Sequence, residues 1–212
     1  MTEQGSEVNE PEVEAQEVEE ELDTTKSAPA DRAENGPFDI LEVPAMRPYV
    51  DLGSIKVPPR EGLQMRLDVD EQAKRIVAVS LDFEGSTLQV QAFSAPKSTG
   101  LWHEVRRQVG ALLTKQKAQF TEREGFLGQE IVTSVRVPEE RGGGVTPVRF
   151  IGVDGPRWLL RGSITGKAAA DPEAAAQVEQ LFRELVVVRG DLPMPPNELL
   201  PMKVPAGVQG KS

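Results

Sequence analysis

The chain has 212 residues, enough for one domain of ordinary size with flanking tails, and a formal net charge of −10. Twelve of its 34 acidic residues fall within residues 1–36 against only Lys26 and Arg32, so the rest of the chain holds 22 acids and 22 bases and is electrically balanced. Cysteine is absent, which excludes disulfide scaffolds, thiolate catalysis and cysteine-ligated zinc or iron–sulfur centres.

Residues 1–36 contain no aromatic residue and only Val8, Val13, Val18 and Leu22 as branched aliphatics. Ordering a backbone costs about 1–2 kcal/mol per residue, and so little apolar surface cannot offset it, which predicts a disordered acidic tail over 1–36. Within it, Pro11 can start a helix with Ala15, Val18 and Leu22 on one face, a helix that a partner would have to induce. A chain beginning at Pro37 is accordingly expected to melt within a few degrees of the full length. The start of the chain has neither the basic nor the apolar region of a secretory leader. No apolar run approaches the roughly 18 residues of a spanning helix. The expectation is a soluble cytoplasmic protein with no membrane contact.

Residues 37–53 read as an extended, Pro-broken lead-in to an α+β domain over 54–190, with a short apolar run at Ile55–Val57. Leu63, Met65, Leu67 and Val69 then alternate with polar residues, the period-two pattern of a half-buried strand. Ile76–Phe83 and Thr87–Phe93 follow, joined by short turns, so an antiparallel meander is expected. Leu101, Trp102, Val105, Val109, Leu112 and Leu113 form a helical stripe, with Ser98 or Thr99 available as its cap and Glu104 in its first turn. A strand over about 130–137, a loop over 138–146 with three consecutive glycines, and a hairpin at 148–165 come next. A second helix opens on Asp171-Pro172-Glu173, a cap residue followed by proline at the first helical position, with the stripe Ala174, Ala175, Val178, Leu181, Phe182 and Leu185. Residues 191–212 form an extended Pro-rich arm. The element order predicts an antiparallel sheet with two main helices packed on it, similar in order alone to a PsbP-like αβα sandwich.

Three segments carry a family resemblance: Leu101-Trp102-His103-Glu104-Val105-Arg106-Arg107, the stretch Phe150–Gly162 centred on Gly152-Val153-Asp154-Gly155-Pro156-Arg157-Trp158, and Val187-Val188-Arg189-Gly190-Asp191-Leu192-Pro193-Met194-Pro195-Pro196. Together they resemble, over roughly Pro37 to Pro205, a domain-of-unknown-function family common in actinobacteria. The resemblance implies no established activity.

No residue pattern points to catalysis. His103 is the only histidine and has no second histidine with which to build a metal or acid–base site. Asp154 is expected to serve a tight Asp-Gly turn. Gly162-Ser163-Ile164-Thr165-Gly166-Lys167-Ala168 has one residue too few between its glycines for a phosphate loop, and Ala168 stands where the magnesium-binding hydroxyl belongs. No catalytic, metal-binding or cofactor-binding residue is therefore assigned, and no cofactor. Neither an RNA-binding sheet signature nor a recognition helix is present, which makes nucleic acid an unlikely partner. The remaining candidates for partner or anion contact are Arg149, Arg157 and Arg161, which share a parity in the hairpin. A three-residue loop at Asp154-Gly155-Pro156 would set Arg149 opposite Arg161, Phe150 opposite Leu160 and Gly152 opposite Trp158. Such a like-charge pair either splays apart into solvent or takes a carboxylate neighbour or a bound anion between its two members. The reading is a non-enzymatic cytoplasmic module acting through protein partners, with an anionic-ligand or nucleic-acid binder through hairpin 148–165 as the alternative.

Overall fold

Alternating apolar residues bury one face of each long strand, and two helices cover the two faces of the resulting sheet. The computed structural model describes residues 23–137 and 139–205. In chain order the elements are α1 (Arg32–Asn35), β1 (Phe38–Asp39), β2 (Val50–Asp51), β3 (Ile55–Val57), β4 (Gln64–Asp70), β5 (Arg75–Phe83), β6 (Ser86–Ser94), α2 (Trp102–Lys115), β7 (Phe120–Gly125), β8 (Gly128–Arg136), β9 (Val145–Asp154), β10 (Trp158–Gly166), α3 (Pro172–Arg183) and β11 (Val186–Val187). A seven-stranded antiparallel sheet runs β4-β5-β6-β10-β9-β8-β7, and a four-stranded sheet runs β1-β11-β3-β2 with β1 and β11 parallel. The fold is α+β, with two sheets rather than the one expected. The second is made of strands only two or three residues long, too short to show a period in sequence.

On one face of the large sheet, Leu81, Leu88, Val90, Ile151, Val153, Leu160 and Ile164 form a single buried cluster with Val178, Leu181 and Phe182 of α3 and with Ile55, Val57 and Val187 of the small sheet. Leu159 points the other way and joins Leu101, Trp102 and Val105 of α2 in a separate cluster. Burying each large apolar side chain contributes about 1.5–3 kcal/mol, so these two clusters fix both helices. Within the expected α2 stripe Leu112 is the exception and stays exposed.

Strand β7 escaped the sequence reading. Phe120-Thr121-Glu122-Arg123-Glu124-Gly125 is mostly polar because it is the sheet's edge strand and pairs only with β8. Charged side chains on an edge deter pairing with other chains, and they erase the alternation by which a strand is recognised. Helix α3 begins as its sequence predicts, with the Asp171 carboxylate accepting from the N–H groups of Glu173 and Ala174. Helix α2 does not. Its N-cap is Leu101, with no capping side chain of its own, and neither Ser98 nor Thr99 serves.

The flanking segments are tied to the domain. Of the tail expected over 1–36, residues 1–22 lie outside the described residues. Ser27, by contrast, donates its N–H to the Asp154 carboxylate at 2.9 Å and accepts the Asp154 N–H at 2.8 Å. Asp31 accepts from Arg183 at 3.1 Å. These are backbone and polar attachments, invisible to a criterion based on apolar surface. Of the C-terminal arm expected over 191–212, residues 206–212 lie outside the described residues. Leu200 is fully buried, and Leu199 and Met202 bridge to Phe93 and Gly53.

A chain starting at Pro37 is therefore expected to lose stability, not to match the full length. It removes the two Ser27 bonds to Asp154, a loss of about 1–3 kcal/mol, and it also takes Asp31 away from the buried Arg183 side chain. Urea denaturation checks this, and an unchanged midpoint would show that residues 23–36 contribute nothing to folding.

Candidate binding pocket at the hairpin tip

Hairpin β9–β10 positions the three arginines singled out by the sequence, and its register decides their fate. Asp154 pairs with Leu159, Val153 with Leu160, Gly152 with Arg161 and Arg149 with Ile164. The expected register is thus wrong by three residues, an odd number. Arg149 and Arg161 consequently lie on opposite faces of the sheet and not side by side. Asp154 is the last residue of β9 and not part of the turn, which is Gly155-Pro156-Arg157-Trp158, closed by the Gly155 N–H donating to the Trp158 carbonyl at 2.8 Å.

Tertiary contacts impose this register. The Asp154 carboxylate caps α2 from outside the helix, accepting from Leu101 N–H at 2.9 Å, from Trp102 N–H at 3.3 Å and from Ser27 N–H at 2.9 Å. Burial pushes its carboxyl up, while these three N–H groups and Lys26 pull against that. Gly152 leaves room not for Trp158 but for Trp102: a Cβ there would lie 2.3 Å from the Trp102 ring. Gly155 does the same for Trp158, at 2.1 Å. Both indoles are fully buried and hydrogen-bonded, Trp102 Nε1 to the Gln129 carbonyl at 2.7 Å and Trp158 Nε1 to the Asp39 carboxylate at 2.8 Å.

Arg149 is buried in the core-facing side of the sheet, where its anions are supplied by the fold. Its Nη2 donates to Glu130 at 2.7 Å and also to Glu179 of α3, and Arg123 Nε holds the other Glu130 oxygen at 2.6 Å. Burial opposes the Arg149 charge, but the bonds to the two glutamates prevail and hold the guanidinium above its ordinary range. Arg161 is half-buried on the opposite face. Its guanidinium lies 5.2 Å from the centroid of the Phe93 ring and donates to Gln91, and burial alone pushes its pKa down. Arg157 is exposed on the turn.

Arg149 lines a hollow of about 340 Å³ together with the Glu130 and Glu179 that neutralise it, whereas Arg157 opens onto a different one. A pocket of about 510 Å³ is lined by Asp39, Ile40, Leu41 and Glu42 from one side, Pro156 and Arg157 from the turn, and Val188, Arg189, Gly190 and Asp191 from the segment after β11. Two of the three motif segments meet here, and Asp154 joins the third to them by capping α2. Arg189 is the residue that sequence reasoning missed. It sits in the third motif segment, but only its position across the pocket from Arg157 gives it meaning. Its Nε is buried without an acceptor, and its Nη1 donates to the Leu192 carbonyl at 2.9 Å. Burial and then the Arg157 charge push its pKa down, with Asp191 opposing. The pocket's inner acids are already engaged: Asp39 holds Trp158 and the Leu41 N–H, and Glu42 holds Arg32 at 2.8 Å. A larger hollow of about 740 Å³ between the α2–β7 loop and β8 sets Phe120, Val132 and Val135 beside two cations, Lys117 and Arg136, but both are exposed and neither belongs to a motif segment.

His103 stands 3.3 Å from Asp23 at the start of α2, and among the described residues no group of three or more His, Asp or Glu side chains could hold a metal ion. No helix among the described residues is long and apolar enough to cross a membrane. Fold and site thus define an α+β domain with a small cationic–apolar pocket at one hairpin tip. Residues 36–211 match the model of the family described as Protein of unknown function (DUF3710), and the chain belongs to that family. No curated protein and no solved structure matches it.

The arginines are expected to respond differently to substitution. Arg149→Met leaves Glu130 and Glu179 buried without their shared cation and is expected to lower stability by about 3–5 kcal/mol. Arg161→Gln, which loses one hydrogen bond and one cation–π contact, is expected to lose about 1 kcal/mol. Equal losses in chemical denaturation would refute the division into buried and half-buried roles.

Proposed function

We propose that the protein is a non-enzymatic cytoplasmic module that docks a protein partner, and that the docking site is the pocket at the β9–β10 tip. The carrying observation is that Arg157 and Arg189 line one pocket while no carboxylate among the described residues lies within ion-pair distance of either. Ile40, Leu41, Pro156 and Val188 supply an apolar lining beside them. Two cations held together with one of them partly desolvated are costly, and an incoming carboxylate relieves that cost while making charge-assisted hydrogen bonds. Leu41, in the pocket lining, is 92 % exposed, so an aliphatic side chain on the partner gains burial at the same place. The chemistry selected is an acidic peptide carrying an aliphatic residue.

The wider alternative, an anion or nucleic-acid surface spread along the hairpin, has less support. Arg149 spends its bonds inside the core and Arg161 is turned to the other face, so the hairpin offers no continuous basic strip.

Fluorescence anisotropy with a labelled peptide of alternating glutamate and leucine tests the reading. Arg157→Gln and Arg189→Gln are each expected to weaken binding about tenfold, equivalent to about 1.4 kcal/mol, and Arg161→Gln to leave it unchanged. Equal affinities across all the variants would remove the pocket from consideration.

A further inference from the structure

We infer that the acidic segment 1–22 of this same chain is an occupant of the Arg157–Arg189 pocket, so that the protein carries its own competitor for its docking site. The inference rests on the pocket reading above. Three observations lead to it.

The first is where the chain goes. Lys26 is pinned to the hairpin tip, its Nζ donating to the Pro156 carbonyl at 2.9 Å and to the Gly155 carbonyl. Arg157 is the next residue of that turn. The described chain begins at Asp23, three residues before Lys26 and 3.3 Å from His103, and extended chain spans about 3.3–3.6 Å per residue. Segment 1–22, up to about 70 Å long when extended, is therefore tethered within reach of the pocket.

The second is charge. Residues 1–22 contain nine glutamates and no lysine or arginine. The pocket holds two arginines without an ion-pair partner among the described residues, and its inner acids Asp39 and Glu42 are engaged by Trp158 and Arg32. Asp191, at the rim, offsets part of the Arg189 charge; the attraction is a matter of local pairing and so depends on salt.

The third is composition. The glutamates are interleaved with Val8, Val13, Val18 and Leu22, an acidic–aliphatic pattern that suits a pocket lined by arginines on one side and by Leu41 and Val188 on the other. A covalent tether this short presents such a segment at an effective concentration on the order of millimolar, so even a weak contact occupies the pocket. An external partner with the same chemistry must then displace it.

The chain has no cysteine, so Val13→Cys gives a unique attachment point for a nitroxide in the full-length protein. At low salt the amide signals of Leu41, Arg157 and Gly190 are expected to lose most of their intensity through paramagnetic broadening. They are expected to recover when Arg157→Gln and Arg189→Gln are combined. Absent broadening, or broadening unchanged in the double variant, overturns the inference. Titrating the alternating glutamate–leucine peptide into the same samples separates the two proposals. Peptide binding without broadening leaves the pocket as a docking site and removes the tail from it; binding of neither removes both. As an independent arm, replacing the nine glutamates by glutamines is expected to tighten peptide binding about tenfold, and an unchanged affinity counts against self-competition.

Discussion

One buried carboxylate ties the molecule together. Asp154 ends β9, caps α2 through the Leu101 and Trp102 N–H groups, and accepts Ser27 from the segment that precedes the domain. Three stretches far apart in sequence meet on two oxygen atoms. A helix N-terminus leaves its first N–H groups unsatisfied, and α2 has no cap within itself, so the helix, the hairpin register and the packing of residues 23–27 share a single anchor. Gly100 shows how tight the arrangement is: a Cβ there would lie 2.1 Å from the Thr25 carbonyl oxygen and 2.8 Å from the Asp154 carboxylate. Everything at the hairpin tip, including the pocket, stands where it does because this anchor holds the strand ends in place.

The fold treats its arginines in three ways, and the difference is one of environment. Arg149 is paired with Glu130 and Glu179 in the core, and the half-exposed Arg123 holds Glu130 from outside, so that two cations and two anions neutralise one another. Arg161 lies on an aromatic ring with a glutamine for company. Among the described residues Arg157 and Arg189 have neither, and both line the same hollow. Charge neutralised by the fold is structural, whereas charge left open beside apolar surface is available for recognition. That contrast is why the proposed docking site is the hairpin tip and not the hairpin as a whole.

The motif segments gain a physical meaning from the same arrangement. Gly152 and Gly155 exist for the two tryptophans, each glycine lying where a Cβ would collide with an indole. The tryptophans in turn anchor Gln129 and Asp39 through their ring N–H groups. The arginine of the last segment closes the pocket opposite the turn of the middle one. A resemblance carried by three separate stretches is thus, in space, one connected construction.

Much of the architecture was legible in the residues. The alternation in β4, β5 and β6, the apolar stripes of α2 and α3 and the Asp171-Pro172 helix start each follow from local rules, because period and capping chemistry act over a few residues. The burial of Trp102 followed from the same helical stripe. What only the tertiary structure decided depended on partners distant in sequence. Strand β7 is polar because it is an edge, and being an edge is a property of the finished sheet. The hairpin register turned on Asp154 being claimed by α2, so the turn fell one residue later in β9 than Asp-Gly-Pro suggested, and an odd slip sent Arg149 and Arg161 to opposite faces. Arg189 became Arg157's neighbour only when the strand after α3 returned to the small sheet. No period or spacing in one dimension records such a meeting, since the two residues are joined by folding and by nothing shorter.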